Sequence, residues 1–433
     1  MRPALGSPRG EPIPEEGGMT GRRGISLRQD VAAVMPAVRD DLRVVLVLPA
    51  APLPFGDTAA RWFHLLACDL LARGHAVSCL TVTDESPAKV EEARARLAAA
   101  APNGRLRFQA FPLRGTVHPL RRKLRNLRRP FSELSHAPGF GEALASELAR
   151  GYDVLHLEQL WSGWAGLGHP RTLLNIHHLE IIDLEGTRGG SLYERKARWQ
   201  MTRATERLLR ATPTMRLFST RLLDRVRTFN DSARCFVVPF ALDLDLYPMQ
   251  PIVDEPVVGL LGSMHWPPSR SAAERLLTRI WPLVKARAPH ARLVVAGWNA
   301  RRYLERYATM RDVTIEENLR SPADFFSRVA VLAYAPGRGS GMKIKVMESM
   351  AYGVPVVTTS EGVEGMEVLS NEHALVAEDD ATLAAHVCAL LDDRAARQRI
   401  RAAARGLLED RYTATPVMAR MLDVYDQVAR STT

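Results

Sequence analysis

The chain has 433 residues, too many for one ordinary hydrophobic core, so two domains are expected. A hydrophobic content of 46% against 24% charged residues is that of a soluble globular protein, and no apolar run approaches the length of a membrane span. The formal net charge of +10 points to anionic partners, whereas Cys68, Cys79, Cys235 and Cys388 are too scattered for a metal or redox motif and imply a reducing, cytoplasmic setting.

Residues 1–41 are rich in Gly, Pro, Arg and Glu and lack both an apolar period and the h-region of a secretory signal. They read as a disordered tail, or as an over-extended start with Met19 or Met35 as the true beginning. Order is expected from Leu42, where RVVLVLPA reads as a buried parallel strand. A loop through Gly56 and Asp57 leads into a helix, TAARWFHLLACDLLARG, that ends at Gly74. AVSCLTVT and RLRFQAFPL are the next two strands, so the first half opens as a βαβ unit.

From Arg105 to Pro130 every charged residue is positive. Arg121, Arg122, Lys123, Arg125, Arg128 and Arg129 alternate with Leu120, Leu124 and Leu127 at helical spacing, which predicts a short basic amphipathic helix. Such a helix can lie on an anionic membrane surface, or it can dock its leucines on its own domain. A nucleic-acid partner is not expected, because the segment lacks interleaved aromatic residues.

GYDVLHLEQL reads as a strand with His156 and Glu158 at its end, and TLLNIHHLE as another that finishes on His177, His178 and Glu180. Strand geometry sends His177 and His178 to opposite faces and no third ligand is within sequence reach, so no metal is expected. One histidine facing a cleft at the sheet's carboxyl edge, or a satisfied structural histidine, fits this pattern. A long Arg-rich helix from Tyr193 to Arg210 follows, then strands at MRLFST and CFVVPFALDLDLY. Pro248, Pro251 and Pro256 mark a linker. Beyond it the alternation restarts with VVGLLGS, a helix from about Ser271 to Ala288, ARLVVAG, and a helix near Pro322 to Arg328.

The most informative stretch is VLAYAPGRGSGMKIKVMESMAYGVPVVTTSEGVEGM, Val331 to Met366. It reads as strand, Gly-rich loop, helix from about Met342 to Tyr352, C-cap Gly353, and strand Val354 to Thr359. The helix N-terminus then opens at the carboxyl edge of a parallel sheet, where unpaired N–H groups and the helix dipole favour an anion. Only six lysines occur in the chain, and two of them, Lys343 and Lys345, fall in this loop, as suits a phosphate ligand. Glu348 can accept hydrogen bonds from a ribose or sugar hydroxyl. The remaining segment, Ala381 to Ala429, is helical and amphipathic.

These residues resemble a family: the GT-B glycosyltransferases, specifically the large family 4 (group 1) of retaining transferases. GSGMKIKVMESMAYGVPVVTTSEGVEG is close to the family form G-x-G-x-K-x-K-x-x-E-A-M-A-x-G-x-P-V-V-x-T. PLPFGDTAARWFHLLACDLLARGHAV, NIHHLE, VVPFALDLDLY and GLLGSMHWPPS agree in the family's order. The resemblance implies an α/β fold of two doubly wound, Rossmann-like domains facing a central cleft. Those domains are expected at 42–249 (acceptor side) and 250–412 (nucleotide-sugar side), with a helix at 413–433 packing back on the first. It implies donor binding by Gly262, Ser263, Ser340, Gly341, Lys343, Lys345 and Glu348, an acceptor or phosphate loop at Gly56 and Asp57, and His177 as the catalytic-side histidine.

The pattern departs from the family at four places. Ser340 stands at the position of the first of two glutamates, Gly56-Asp57 replaces a double glycine, and His178 replaces an asparagine. The usual Arg and Lys after the first C-domain strand are missing, with Arg270 as the substitute. The expected activity is transfer of a sugar from a nucleotide-sugar to a lipid-linked or polysaccharide acceptor with retention, without cofactor or metal. The expected setting is the cytoplasm, peripheral at the inner face of the plasma membrane. A nucleotide-sugar epimerase on the same fold and a non-catalytic nucleotide-sugar scaffold are the alternatives.

Overall fold

Runs that are apolar at every position, not at alternate ones, belong to strands covered on both faces. The computed structural model describes residues 41–113, 130–131, 134, 137–184, 191–317, 319–337 and 339–431, and its central strands, such as Arg43–Leu48 and Val331–Tyr334, are of this kind. Seven of them, β1 (Arg43–Leu48), β2 (Ala76–Thr83), β3 (Leu106–Pro112), β4 (Val154–Glu158), β5 (Thr172–Ile176), β6 (Thr214–Leu217) and β7 (Arg234–Val237), form one sheet in the order β3-β2-β1-β4-β5-β6-β7. Six more, β8 (Val257–Leu261), β9 (Arg292–Ala296), β10 (Val313–Glu316), β11 (Val331–Tyr334), β12 (Val356–Thr358) and β13 (Leu375–Val376), form a second in the order β10-β9-β8-β11-β12-β13. The pairings within both sheets are parallel, for example Val44 with Val77 and with Val154, and Leu332 with Val356.

The strand order reverses between β1 and β4 in the first sheet and between β8 and β11 in the second. Ligands of doubly wound sheets bind outside the carboxyl ends of the strands at such a reversal. The loops there include the ones after β1, with Gly56, after β8, with Gly262 and Ser263, and after β11, with the Gly-rich segment. The fold therefore directs three separated segments to equivalent positions.

Local chemistry explains the helix boundaries. Asp57 caps the helix Thr58–Ala72 by accepting from the Ala60 N–H at 2.7 Å, and Ser191 with Glu194 forms a capping box at the head of Leu192–Ala211. The helix after β11 is Ile344–Ala351, with Lys343 at the N-cap position. It closes on Gly353, whose φ of 76° is the left-handed conformation a C′ residue needs. The Val354 and Gly353 N–H groups donate back to the Ser349 and Met350 carbonyls at 2.8 and 3.1 Å.

Some boundaries differ from the expectations. CFVVPFALDLDLY is a strand only as far as Val237, since Pro239 has no N–H for a ladder and Asp243 caps a turn of 3₁₀ helix at Leu244–Leu246. The helix expected from Ser271 to Ala288 begins at Pro267 and passes through a π turn, Leu276–Ile280, before Trp281–Arg287. Pro282 lies just beyond that turn, and a π turn accommodates the backbone bond that a proline cannot make. The helix Pro87–Ala99 and the strands β10 and β13 were not foreseen; the helix buries only Ala93 and Leu97, and β13 is two residues long. The last helix, Ala414–Ala429, packs on the first sheet, where its Tyr425 Oη meets His156 Nδ1 on β4 at 2.5 Å.

Candidate active site

The Gly-rich loop of the second sheet sits directly on the residues after β5 of the first. Gly341 has a φ of 74°, and a Cβ there would lie 2.1 Å from the His177 carbonyl oxygen, so only glycine allows this approach. Ser340, 1% exposed, accepts a hydrogen bond from the Leu179 N–H at 2.8 Å. Its own N–H and hydroxyl reach Asp183 Oδ1 at 2.7 and 2.9 Å. Burial pushes the Asp183 carboxyl above its usual range. At this position Ser340 ties the two halves of the site together, and its hydroxyl is already engaged. Ser340→Ala leaves the buried Leu179 N–H unpaired and is expected to cost about 1–3 kcal/mol, read as a lower denaturant midpoint. An unchanged midpoint would show that the contact contributes nothing in solution.

Lys343 and Lys345 have separate environments. Lys343 is buried, and its Nζ donates to the Gly341 carbonyl at 2.6 Å and stands 3.3 Å from Glu364 Oε2. Burial lowers its pKa, and Glu364 opposes that shift. Glu364 also accepts from Ser219 Oγ at 2.6 Å, and Arg221 beside it bonds the Gly339 carbonyl at 3.2 Å and pairs with Glu361. Lys343, expected among the donor-binding residues, is thus held to its own loop by Gly341 and Glu364.

Lys345 is half-buried. Its ammonium bonds Ser269 Oγ and lies 4.8 and 4.7 Å from the ring centres of Trp266 and Tyr334. No carboxylate pairs with it among the described residues. Removal from water pushes it down to about 7, helped by the neighbouring Lys343 charge and opposed by Glu348. It lies under the first loop of the second sheet: a Cβ on Gly262 would stand 3.1 Å from its Nζ and 3.0 Å from Ser269 Oγ. Ser263 accepts from the Trp266 N–H at 3.2 Å to close that loop. Gly262 is therefore brought against Lys345, with Ser263 next to it in the same loop, while Ser340 and Gly341 of the Gly-rich loop meet His177 and Leu179 of the first sheet. Arg270, by contrast, stacks over the Tyr303 ring at 4.7 Å.

Glu348, 7% exposed, pairs with Arg61 of the first helix. Arg61 also donates to Tyr247 Oη at 2.9 Å and to the Gly56 carbonyl at 3.2 Å. Burial opposes the charge on Arg61, but Glu348 outweighs it and holds the guanidinium protonated. Gly56 thus meets the second sheet's carboxylate through Arg61, while the Asp57 carboxylate is engaged in capping its helix.

His177 is half-buried, with Nε2 2.7 Å from Glu158 Oε2. Burial lowers its pKa, partly offset by that contact. Glu158, wholly buried, also accepts from Trp62 Nε1 at 2.7 Å and Asn175 Nδ2 at 2.6 Å, and His156 Nε2 stands 3.1 Å from Oε1. Burial alone would raise the Glu158 carboxyl; His156 and His177 draw it well below the usual range.

Glu158, Arg61, Asp183 and Glu364 were not singled out from sequence. The one available signal was for Glu158, an acid at the end of an otherwise apolar strand beside the two-histidine segment. The basic segment with Arg121, Arg122, Lys123, Arg125, Arg128 and Arg129 lies outside the described residues. No helix among the described residues is long and apolar enough to cross a membrane, and no cluster of three His, Cys, Asp or Glu able to hold a metal occurs among them.

Two parallel doubly wound sheets that meet through loops at their carboxyl edges are the GT-B architecture of glycosyltransferases. Residues 255–393 match the family model described as Glycosyl transferases group 1. Solved structures agree over most of the chain. HepE of Anabaena, in complex with UDP and glucose, aligns with a TM-score of 0.63 at 14% identity, over 89% of this chain and 100% of that one. A mutant TarM of S. aureus, in complex with Fondaparinux, alpha-GlcNAc-glycerol and UDP, aligns at 0.61 and 8% identity, over 89% and 99%. WaaG, a glycosyltransferase involved in lipopolysaccharide biosynthesis, aligns at 0.57 and 14% identity, over 88% and 99%. A comparison with curated proteins gave no match. Residues 255–393 therefore match a group 1 glycosyltransferase domain, and the chain shares the GT-B fold of these structures.

Proposed function

We propose that this protein transfers a sugar from a nucleotide-sugar donor to a lipid-linked or polysaccharide acceptor, with retention of anomeric configuration. The observation that carries this reading is Lys345, a half-buried cation with no paired carboxylate among the described residues, set under the Gly262 loop at the N-terminal turn of the helix that bears Glu348. Departure of the sugar builds negative charge on the leaving diphosphate, and a fixed cation beside helix N–H groups stabilises it where it develops. Lys345 supplies that charge, so the reading calls for no metal ion, and EDTA is expected to leave turnover unchanged.

Glu348 takes the ribose hydroxyls in this reading. Arg61, which holds Glu348 in the structure, shares or releases it on donor entry, which links the first helix to donor binding. His177 borders the transferred sugar. The HepE and TarM structures contain UDP, which places UDP-sugars first among donors to try. WaaG acts in lipopolysaccharide biosynthesis, which supports an envelope glycan or glycolipid acceptor reached from the cytoplasmic face, with the basic segment 121–129 at the membrane surface.

The test is turnover of labelled nucleotide-sugars with lipid-linked and polysaccharide acceptors, the product's anomeric configuration being read by NMR. Transfer that requires an acceptor and preserves the configuration supports the proposal. Conversion of the donor alone into an epimer, or donor binding without turnover on any acceptor, would contradict it.

A further inference from the structure

A carboxylate buried at the end of a strand is costly unless donors surround it, and the cost is several kcal/mol for one left unpaired. Glu158 at the end of β4 is 0% exposed and is met by Trp62 Nε1, Asn175 Nδ2 and His177 Nε2 at 2.7, 2.6 and 2.7 Å. The three donors come from the first helix, from the neighbouring strand position and from the segment after β5. Arg216, fully buried between the rings of Trp62 and Phe218, balances the charge from β6 and donates to the Pro239 carbonyl at 2.6 Å. His156, on the other side, is held by Tyr425 of the last helix.

This arrangement decides which nitrogen of His177 carries the proton. An ionised carboxylate only accepts; Nε2 of His177 stands 2.7 Å from Glu158 Oε2 and 3.2 Å from Asn175 Nδ2, whose shorter bond at 2.6 Å goes to the same carboxylate oxygen, so Nε2 donates to Glu158. The ring is held neutral by its burial, which leaves Nδ1 as a bare acceptor, with no hydrogen bond among the described residues. His177 stands edge-on to Phe63 and Phe218, which restrict its rotation. Its backbone carbonyl is the atom on which Gly341 rests.

We propose that Glu158 is a positioning residue for sugar transfer: it fixes His177 as the neutral Nε2–H tautomer so that Nδ1 accepts a hydrogen bond from a substrate hydroxyl. The proposal rests on the transferase reading for its kinetic consequence and on the geometry alone for the tautomer.

Two measurements test it. The first needs no substrate: the ¹⁵N shifts of labelled histidine in the wild-type protein, with His177 assigned by the signals lost in His177→Gln. A neutral Nε2–H ring at pH 7.5 is expected, shifting to a mixture of tautomers in Glu158→Gln. A mixed or Nδ1–H ring in the wild type overturns the proposal. The second is a double-mutant cycle on kcat. Glu158→Gln is expected to lower kcat about 10–100-fold with the donor KM nearly unchanged, and to have no further effect in a His177→Gln background. Losses that multiply in the double variant, or a KM effect without a kcat effect, would show a structural role for Glu158. Should Glu158→Gln fail to fold, Glu158→Asp keeps the charge and enters the same cycle. If the wild type transfers no sugar while the tautomer is as expected, the transferase reading fails and the Glu158–His177 pairing stands.

Discussion

Lys345→Met is expected to weaken donor binding about 10- to 100-fold. A hydrogen bond to a charged group contributes about 1.5–3 kcal/mol, and each 1.4 kcal/mol is roughly a factor of ten in affinity. Methionine keeps an unbranched stem of similar length and removes the ammonium that stands over the Trp266 and Tyr334 rings, so the loss reads the charge. The variant also removes a pH dependence whose sign follows from the site. Lys345 is pushed down to about 7 from its ordinary 10.5. Above that pH the unliganded ammonium loses its proton, and an anionic donor must restore it on binding. Donor affinity is therefore expected to fall as pH rises above about 7, by at most about tenfold per unit for one proton. Calorimetry in buffers of different ionisation enthalpy reads the proton taken up. Stability moves the other way. Between the two pKa values the unfolded chain holds a proton the folded chain has lost, so this group makes the fold more stable as pH rises. Both slopes disappear in Lys345→Met, and an unchanged affinity would place the diphosphate elsewhere.

Gly341→Ala is expected to lower kcat/KM about 100-fold. A left-handed residue with a Cβ costs roughly 1–2 kcal/mol in backbone strain. The larger effect is steric: the added carbon would stand 2.1 Å from the His177 carbonyl oxygen and 3.4 Å from His178 Cβ. The loop has to withdraw from the first domain by the order of an ångström, and a misplacement of that size costs about 100-fold in rate. Steady-state kinetics measures the loss, and hydrogen exchange at 177–184 and 339–343 shows where the contact has opened. Wild-type activity in Gly341→Ala would mean that the working enzyme does not bring these two segments together.

The parts of this site readable from sequence are those made within one stretch of chain. Gly353 ends the helix, Lys345 and Glu348 sit on it, and the apolar runs of β1, β8 and β11 are signals that act over a few residues. Ser340 illustrates the limit. Its residue type was visible as a departure, but its partner Asp183 is 157 residues away, and no local pattern reports such a pair. Lys343 and Lys345 read alike in the sequence for the same reason; only the fold shows that Glu364 stands beside Lys343 while Lys345 meets Ser269. Arg61 reads as an ordinary exposed helix residue until the second domain places Glu348 against it. Glu158 is hidden differently. A lone acid at a strand end is common, and its meaning comes from Trp62, Asn175 and His177 converging on it.

The donor site is the central claim, and ligand-induced thermal stabilisation tests it most directly. Melting temperatures are measured against rising concentrations of UDP, GDP and their sugar derivatives for the wild type, Lys345→Met and Glu348→Ala. A ligand that binds only the folded state raises the midpoint by an amount set by its concentration relative to its Kd. The expected result is a concentration-dependent rise with one nucleotide series in the wild type and its loss in both variants. If no member of the panel shifts the wild type, or if both variants respond as the wild type does, the cleft built around Lys345 and Glu348 is not where a nucleotide-sugar binds.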